Sequence, residues 1–112
     1  MKKKDTIFAL ASGPGKAAIN IIRISGPSSI KIINSLSTSK IQKQREAKLT
    51  KIFSGSGELI DQTITTIYKK PKSYTGEDMV EISTHGGNAV VKKLFEELKK
   101  RPMLRLAKPG EF

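Results

Sequence analysis

An α+β fold, with a mixed β-sheet and two helices, is predicted by three observations on the 112-residue sequence. Short segments rich in β-branched residues recur along the chain, two other segments repeat apolar residues at helical spacing, and turns containing Gly or Pro separate them. In chain order these segments predict β-β-α-β-β-β-α-β. The length suits one domain, since domains most often contain about 100–150 residues.

The first three elements are two strands and a helix. Residues 6–11 and 18–24 are dense in aliphatic side chains, and the Gly- and Pro-containing segment 12–15 separates them. Residues 25–27, Ser-Gly-Pro, are typical of a helix start, because the φ of Pro already suits the first helical position. The predicted helix has an apolar face at three-residue spacing: Ile30, Ile33 and Leu36.

The rest of the chain predicts a hairpin, one more strand, a longer helix and a short last strand. Residues 49–53 and 62–68 are strand-like and flank a Ser/Gly turn, and residues 78–83 alternate polar with apolar side chains. The apolar face of the second helix contains Val90, Val91, Leu94, Phe95 and Leu98. Its opposite face is predicted to be solvated: Lys92, Lys93, Glu96, Glu97 and Lys99. Residues 103–106 form the predicted last strand.

Composition excludes several classes of site. The chain has no Cys and one His, which excludes disulfides, thiolate metal sites and multi-histidine metal sites. No segment approaches the roughly 18 consecutive apolar residues of a membrane span, so we expect a cytoplasmic protein without a membrane partner. The net charge of +11 is concentrated in residues 1–56, which hold 11 basic and two acidic residues. Such a basic half can bind phosphates or acidic partners, or be a lysine-rich solvated surface.

The Gly-rich segment 12–20 matches neither common nucleotide-binding motif. When the Gly-Lys at 15–16 is aligned with a phosphate loop, Leu10 replaces the first Gly and Ala17 replaces the hydroxyl residue. The dinucleotide fingerprint requires a helix next, whereas residues 19–24 are strand formers. We therefore predict a turn between two strands.

Two charged residues inside predicted strands are candidate binding residues. Arg23 and Glu81 are each flanked by aliphatic residues. An Arg in such a strand can extend its charge to solvent, pair with an acid, or face an anionic ligand. A carboxylate there suits bidentate pairing with an Arg or with a 2-aminopyrimidinone ring. A structural Arg23–Glu81 salt bridge is the alternative that the sequence leaves open.

The second helix begins after the single His of the chain. His85 precedes two glycines and has no Ser, Cys or acid at a spacing typical of a catalytic triad. We interpret it as structural or as a hydrogen-bonding residue at the helix end. Residues 74–78 are a candidate binding loop. No nucleophile–base arrangement is present, so we predict no catalytic residue and rank an independent hydrolase last.

Three parts of the sequence together resemble one family. Residues 5–11 lead to Ile-Ile-Arg-Ile-Ser-Gly-Pro at 21–27, Ser-Tyr-Thr-Gly-Glu-Asp-Met-Val-Glu-Ile follows at 73–82, and His-Gly-Gly at 85–87 precedes Pro-Gly-Glu-Phe at 109–112. This combination resembles the N-terminal domain of the tRNA modification GTPases called MnmE or TrmE. The resemblance spans essentially the whole chain.

The resemblance implies a single folate-binding and dimerisation domain over residues 1–112, similar to the tetrahydrofolate-binding half-domains of aminomethyltransferases. The implied ligand is 5-formyltetrahydrofolate, a one-carbon donor, and the implied partner in this domain is a second copy. Arg23 and Glu81 match two folate-contacting positions of the family. A third contact of the family, a Lys, would lie beyond Phe112.

Further expectations concern the full-length family protein. It contains helical and GTPase domains that this chain lacks, and only the GTPase domain would bind GTP, magnesium and potassium. With its FAD-containing partner MnmG (GidA), the family modifies carbon 5 of the wobble uridine in tRNA, in bacteria. We expect this domain alone not to be catalytic. The alternative function is a stand-alone basic RNA-binding module, which the net charge of +11 favours but the scarcity of aromatic residues does not.

Overall fold

The computed structural model describes residues 5–12, 19–37, 40–41, 43–102 and 104–112. Within these ranges the elements follow in the predicted order. The strands are β1 (Thr6–Leu10), β2 (Ile19–Ser25), β3 (Lys48–Phe53), β4 (Leu59–Tyr68), β5 (Met79–His85) and β6 (Leu104–Leu106). The helices are α1 (Ser29–Leu36) and α2 (Asn88–Lys99). Residues 13–18, on which the interpretation of the Gly-rich turn depends, lie outside the described residues.

The strands form one six-stranded mixed sheet in the order β3-β4-β5-β2-β1-β6. Every neighbouring pair is antiparallel except β1 and β6, which are parallel. The α+β class is therefore confirmed. Because β2 and β5 lie at the middle of the sheet, they hold their side chains on a surface supported by strands on both sides.

Both helices pack on the same face of this sheet. Side chains alternate along a strand, so every second residue of each strand faces the helices. The resulting core is apolar and includes Phe8, Ile22, Ile24, Ile33, Ile52, Ile67, Val80, Ile82, Leu94 and Leu98. Neither helix is long and apolar enough to span a membrane, within the part of the chain that the structure describes.

The start of α1 differs from the prediction. The helix begins at Ser29, because strand β2 continues through Ser25 and a turn intervenes. In this turn the backbone carbonyl of Gly26 accepts bonds from the N–H of Ser29 at 3.2 Å and from its hydroxyl at 2.9 Å. Pro27 therefore precedes the helix instead of occupying its first position. Ile32, with Ile33 and Leu36, forms the buried face, and Ile30 is only partly buried.

One residue predicted on the solvated face of α2 is buried. Glu97 is 7% exposed, and its carboxylate accepts hydrogen bonds from the backbone N–H of Gly55 at 3.1 Å and from Lys100 Nζ at 3.0 Å. The bond from Lys100 lowers the pKa of Glu97, burial opposes this shift, and the Gly55 N–H adds to it. The prediction was wrong because the β3–β4 turn, distant in sequence, covers this side of the helix.

Candidate functional site

Arg23 and Glu81 lie directly opposite each other on β2 and β5. Both belong to the sheet face that is turned away from the helices, since their strand neighbours are core residues. Arg23 Nε donates to Glu81 Oε2 at 2.7 Å, and the two side chains are 29% and 24% exposed. The salt bridge that the sequence left open is therefore formed, on a surface that solvent and ligands can still reach.

The loop between β4 and β5 covers part of this pair. The ring of Tyr74, in this loop, lies over Arg23, with 4.7 Å between the guanidinium carbon and the ring centroid. Tyr74 is nevertheless 70% exposed. The hydroxyls of Ser25 and Thr75 are 2.7 Å apart, and the N–H of Gly26 donates to the carbonyl of Asp78 at 2.9 Å. These bonds attach both ends of the predicted loop 74–78 to the end of β2.

A cavity of about 420 Å³ opens beside the ion pair. It is lined by Arg23, Arg45, Tyr68, Lys72, Ser73, Tyr74, Met79 and Glu81. A second cavity, of about 640 Å³, is lined by Asp5, Ile7, Ser25, Thr75, Glu77, Arg105, Glu111 and Phe112 in addition to Tyr74. Tyr74 therefore contributes to both cavities on this face of the sheet.

Tyr68 joins the cavity through strand register. It lies opposite Met79, two residues before Glu81, and so belongs to the same sheet face as Glu81. Burial raises the pKa of Tyr68, and the charge of the nearby Glu81 carboxylate adds to the shift. Arg23 and Arg45 act in the opposite direction. The site therefore combines a carboxylate, guanidinium groups and neutral aromatic rings.

Sequence reasoning did not single out the other charged and aromatic residues of this cavity, which are Arg45, Tyr68 and Lys72. Arg45 and Lys72 lie in segments without regular periodicity, where nothing local indicates a direction for a side chain. Tyr68 was recognised only as a strand end. The register of the β4–β5 pairing places Tyr68 near Glu81, but this register is fixed only when the whole sheet assembles and could not be derived from the sequence.

His85 lies at the far end of β5, four residues from Glu81 and thus about 13 Å along the strand. Its Nδ1 is 2.9 Å from Asp61 Oδ1, and its backbone N–H donates to Asp61 Oδ2 at 2.8 Å. These hydrogen bonds join β5 to β4 and do not reach the start of α2, so His85 has the structural one of its two predicted roles. No group of three or more possible metal-binding side chains occurs among the described residues.

The Pro-Gly-Glu-Phe segment contacts the edge of the sheet. Glu111 forms a salt bridge with Arg105 on β6, which also pairs with Asp5 at 2.9 Å. Hydrogen bonding to Arg105 lowers the pKa of Glu111 to about 2, and the N–H of Lys108 contributes. This carboxylate therefore stays ionised at mildly acidic pH. Its salt bridge with Arg105 keeps residues 111–112 in the wall of the second cavity.

Comparisons with known proteins point to one family. The family model described as "GTP-binding protein TrmE N-terminus" matches residues 6–112. Proteins named tRNA modification GTPase MnmE are similar over the chain, with 48% identity in Hyphomonas neptunium over 100% of this chain and 25% of that protein. The corresponding protein of Thermotoga petrophila is 46% identical over 96% of this chain and 24% of its own length. The protein of Anaplasma phagocytophilum is 42% identical over 99% of this chain and 24% of its own length.

The chain thus spans about a quarter of the length of the curated relatives it matches. The family match covers nearly every residue, including β2, β5 and the loop over the ion pair. This chain belongs to the TrmE N-terminal family, the family of the N-terminal domain of the tRNA modification GTPase MnmE.

Proposed function

We propose that this domain binds a reduced folate, 5-formyltetrahydrofolate, with Glu81 and Arg23 contacting its pterin ring. The observation that carries the proposal is the Arg23–Glu81 pair on the floor of an accessible cavity with two tyrosines in its wall. A carboxylate accepts two hydrogen bonds side by side, which suits the ring N–H and the amino group of a pterin. Family resemblance supports the same two residues.

The existing ion pair is compatible with such a ligand. The Arg23–Glu81 bond uses one carboxylate oxygen and Nε, whereas a carboxylate offers about four acceptor sites and a guanidinium five donors. The remaining donors of Arg23 suit a ring carbonyl or an anionic group. The Tyr74 and Tyr68 rings provide flat apolar surfaces against which an aromatic ligand can stack.

Calorimetric titration with 5-formyltetrahydrofolate tests the site. We expect Glu81→Gln to weaken binding by about 1.5–3 kcal/mol, roughly 10- to 150-fold, because a hydrogen bond to a charged group is replaced by a weaker one. The matched control is Glu96→Gln, an exposed acid on α2, on the other side of the sheet.

Equal affinity of parent and Glu81→Gln would refute the site while leaving folate binding intact. If the parent does not bind, a chain extended past Phe112 tests whether the Lys expected there is required. Absence of binding by the extended chain as well would refute the folate function.

We also propose that the domain forms a homodimer. The sheet face opposite the helices exposes three apolar side chains: Ile19, Leu49 and Ile64, at 59%, 60% and 42%. Leu49 and Ile64 are directly opposite on neighbouring strands, so they form a continuous apolar area that a second copy would cover.

Sedimentation analysis tests this assembly. We expect a dimer for the parent chain and a monomer for Ile64→Lys, which introduces a charge into the apolar area. Ala89→Lys, at an exposed residue of α2 on the other side of the sheet, is a control for the added charge. A parent chain that stays monomeric at high concentration would contradict the proposal.

In the longer proteins that carry this domain, we propose that the bound folate supplies a one-carbon unit for modification of carbon 5 of the wobble uridine in tRNA. The proposed partners are tRNA and MnmG, in the cytoplasm, and GTP, magnesium and potassium belong to a separate GTPase domain. The names of the relatives support tRNA modification and the GTPase class. Direct RNA binding by the basic half stays a separate prediction, checked by the salt dependence of tRNA affinity.

A further inference from the structure

The cavity beside Glu81 has more positive than negative charge. Its wall contains Arg23, Arg45 and Lys72, but only one carboxylate, Glu81, which is already paired with Arg23. Among the described residues, the salt bridges involve neither Arg45 nor Lys72. The two remaining cations therefore favour an anionic group at this end of the cavity.

Nearby acids do not neutralise these cations through ion pairs with them. Glu46, next to Arg45, pairs with Lys43 at 2.9 Å. Asp78 accepts the backbone N–H of Lys70 at 2.9 Å, and Glu77 lines the second cavity. Lys69 and Lys70 add further positive charge to the same loop.

Arg45 is held in place by its surroundings. Its φ is 61°, an uncommon value for a residue with a side chain, and its N–H donates to the carbonyl of Ile67 at 2.8 Å. The guanidinium carbon lies 5.5 Å from the Tyr68 ring centroid, and Nη2 donates to the carbonyl of Lys72. A guanidinium fixed in this way loses little side-chain freedom when it binds a carboxylate.

The position of Tyr68 connects the two ends of the cavity. Tyr68 is diagonal to Glu81 across the β4–β5 pair, a separation of about 7–8 Å, and Arg45 lies over the same ring. A ligand whose pterin contacts Glu81 can therefore extend along Tyr68 and place an acidic tail at Arg45. The tail of a folate is acidic, because it ends in one or more γ-linked glutamates.

We propose that Arg45 and Lys72 bind the carboxylates of a poly-γ-glutamate tail, so that this domain prefers polyglutamylated folates to the monoglutamate. This inference rests on the proposed folate function for the orientation of the ligand. The tail site itself is a property of Arg45 and Lys72 and can be tested without a pterin.

The first test compares the mono- and triglutamate forms of 5-formyltetrahydrofolate by calorimetry. We expect the triglutamate to bind roughly fivefold more tightly at 10 mM salt, the size expected for one or two partly exposed ion pairs. This advantage should shrink at 150 mM salt, where screening acts over about 8 Å instead of about 30 Å. It should disappear in Arg45→Gln/Lys72→Gln and persist in Arg101→Gln, an Arg that lines a cleft beside α1.

The second test uses a γ-linked triglutamate peptide without a pterin. Both tyrosines of the chain line this cavity and there is no Trp, so tyrosine fluorescence reports on the cavity and the peptide does not absorb there. We expect saturable binding that Glu96→Gln leaves unchanged and Lys72→Gln weakens about two- to fivefold. Arg45→Lys should retain part of the affinity, because it keeps the charge and loses the planar fork.

The two tests separate this inference from the folate function. Peptide binding that depends on Arg45 and Lys72 supports the tail site even if the folate itself fails to bind. Equal affinity for mono- and triglutamate together with no peptide binding would overturn it, as would a triglutamate advantage that survives in the double variant. Displacement of the peptide by tRNA but not by folate triglutamate would assign the two cations to RNA phosphates, and would also overturn it.

Discussion

Phe8→Ala is expected to lower the free energy of unfolding by about 3–5 kcal/mol, the usual cost of removing a buried aromatic ring. Phe8 is 0% exposed, and its ring packs edge-on against Phe95 of α2 with the centroids 5.0 Å apart and an interplanar angle of 82°. The loss therefore includes burial of the ring, the aromatic contact and the cavity that remains. Urea unfolding followed by circular dichroism measures it.

Two further variants make this result interpretable. Phe8→Leu keeps an apolar side chain in the core and should cost less than Phe8→Ala, because a smaller cavity remains. Leu59→Ala, at a side chain that is 48% exposed and lies outside the proposed dimer area, should change stability by less than about 0.5 kcal/mol. A cost below about 1.5 kcal/mol for Phe8→Ala would contradict the packing of α2 on β1.

The element order was predictable because each segment carries its own periodicity. Apolar residues of α2 recur at helical spacing, and β5 alternates, so both patterns report burial against the same core. The first and last residues of the strands and helices were less predictable. Strand β4 begins at Leu59, three residues before the predicted start, because Leu59 pairs with Phe53 after an irregularity in β3. The polar residues at 61–62 conceal this pairing in the sequence.

Two charged residues of the candidate site could be singled out from the sequence, but their arrangement and the rest of the cavity could not. Arg23 and Glu81 were each conspicuous as charges between aliphatic neighbours. Their direct pairing depends on the β2–β5 register, which joins segments 58 residues apart. Arg45 lines the cavity because its backbone N–H donates to the carbonyl of Ile67 and its guanidinium lies over the Tyr68 ring. Contacts of this kind leave no local signal in a sequence.

The predicted helix start at 25–27 is a second case in which the sequence conceals a tertiary contact. The structure shows why a Gly is needed at position 26, and nothing in the neighbouring sequence indicates it. Gly26 has a φ of 136°, which residues with a side chain rarely adopt. A Cβ at this position would lie 2.6 Å from the Cα of Thr6 and 2.9 Å from the carbonyl oxygen of Asp5. Both neighbours are backbone atoms of the β1 region, so they cannot move aside without disturbing the sheet.

Gly26→Ala is therefore expected to cost roughly 2–4 kcal/mol, from steric overlap with β1 together with the unfavourable φ. The control is Gly57→Ala, where φ is 88° but nothing lies within 4 Å of the added Cβ, so that only the conformational cost of roughly 1–2 kcal/mol remains. Chemical denaturation of both variants gives the difference. Equal costs would show that the close approach to Thr6 is relieved without strain.

Because Ser25 next to Gly26 contacts Thr75, we also expect Gly26→Ala to loosen the loop that carries Tyr74 over Arg23, whereas Gly57→Ala should leave that loop in place.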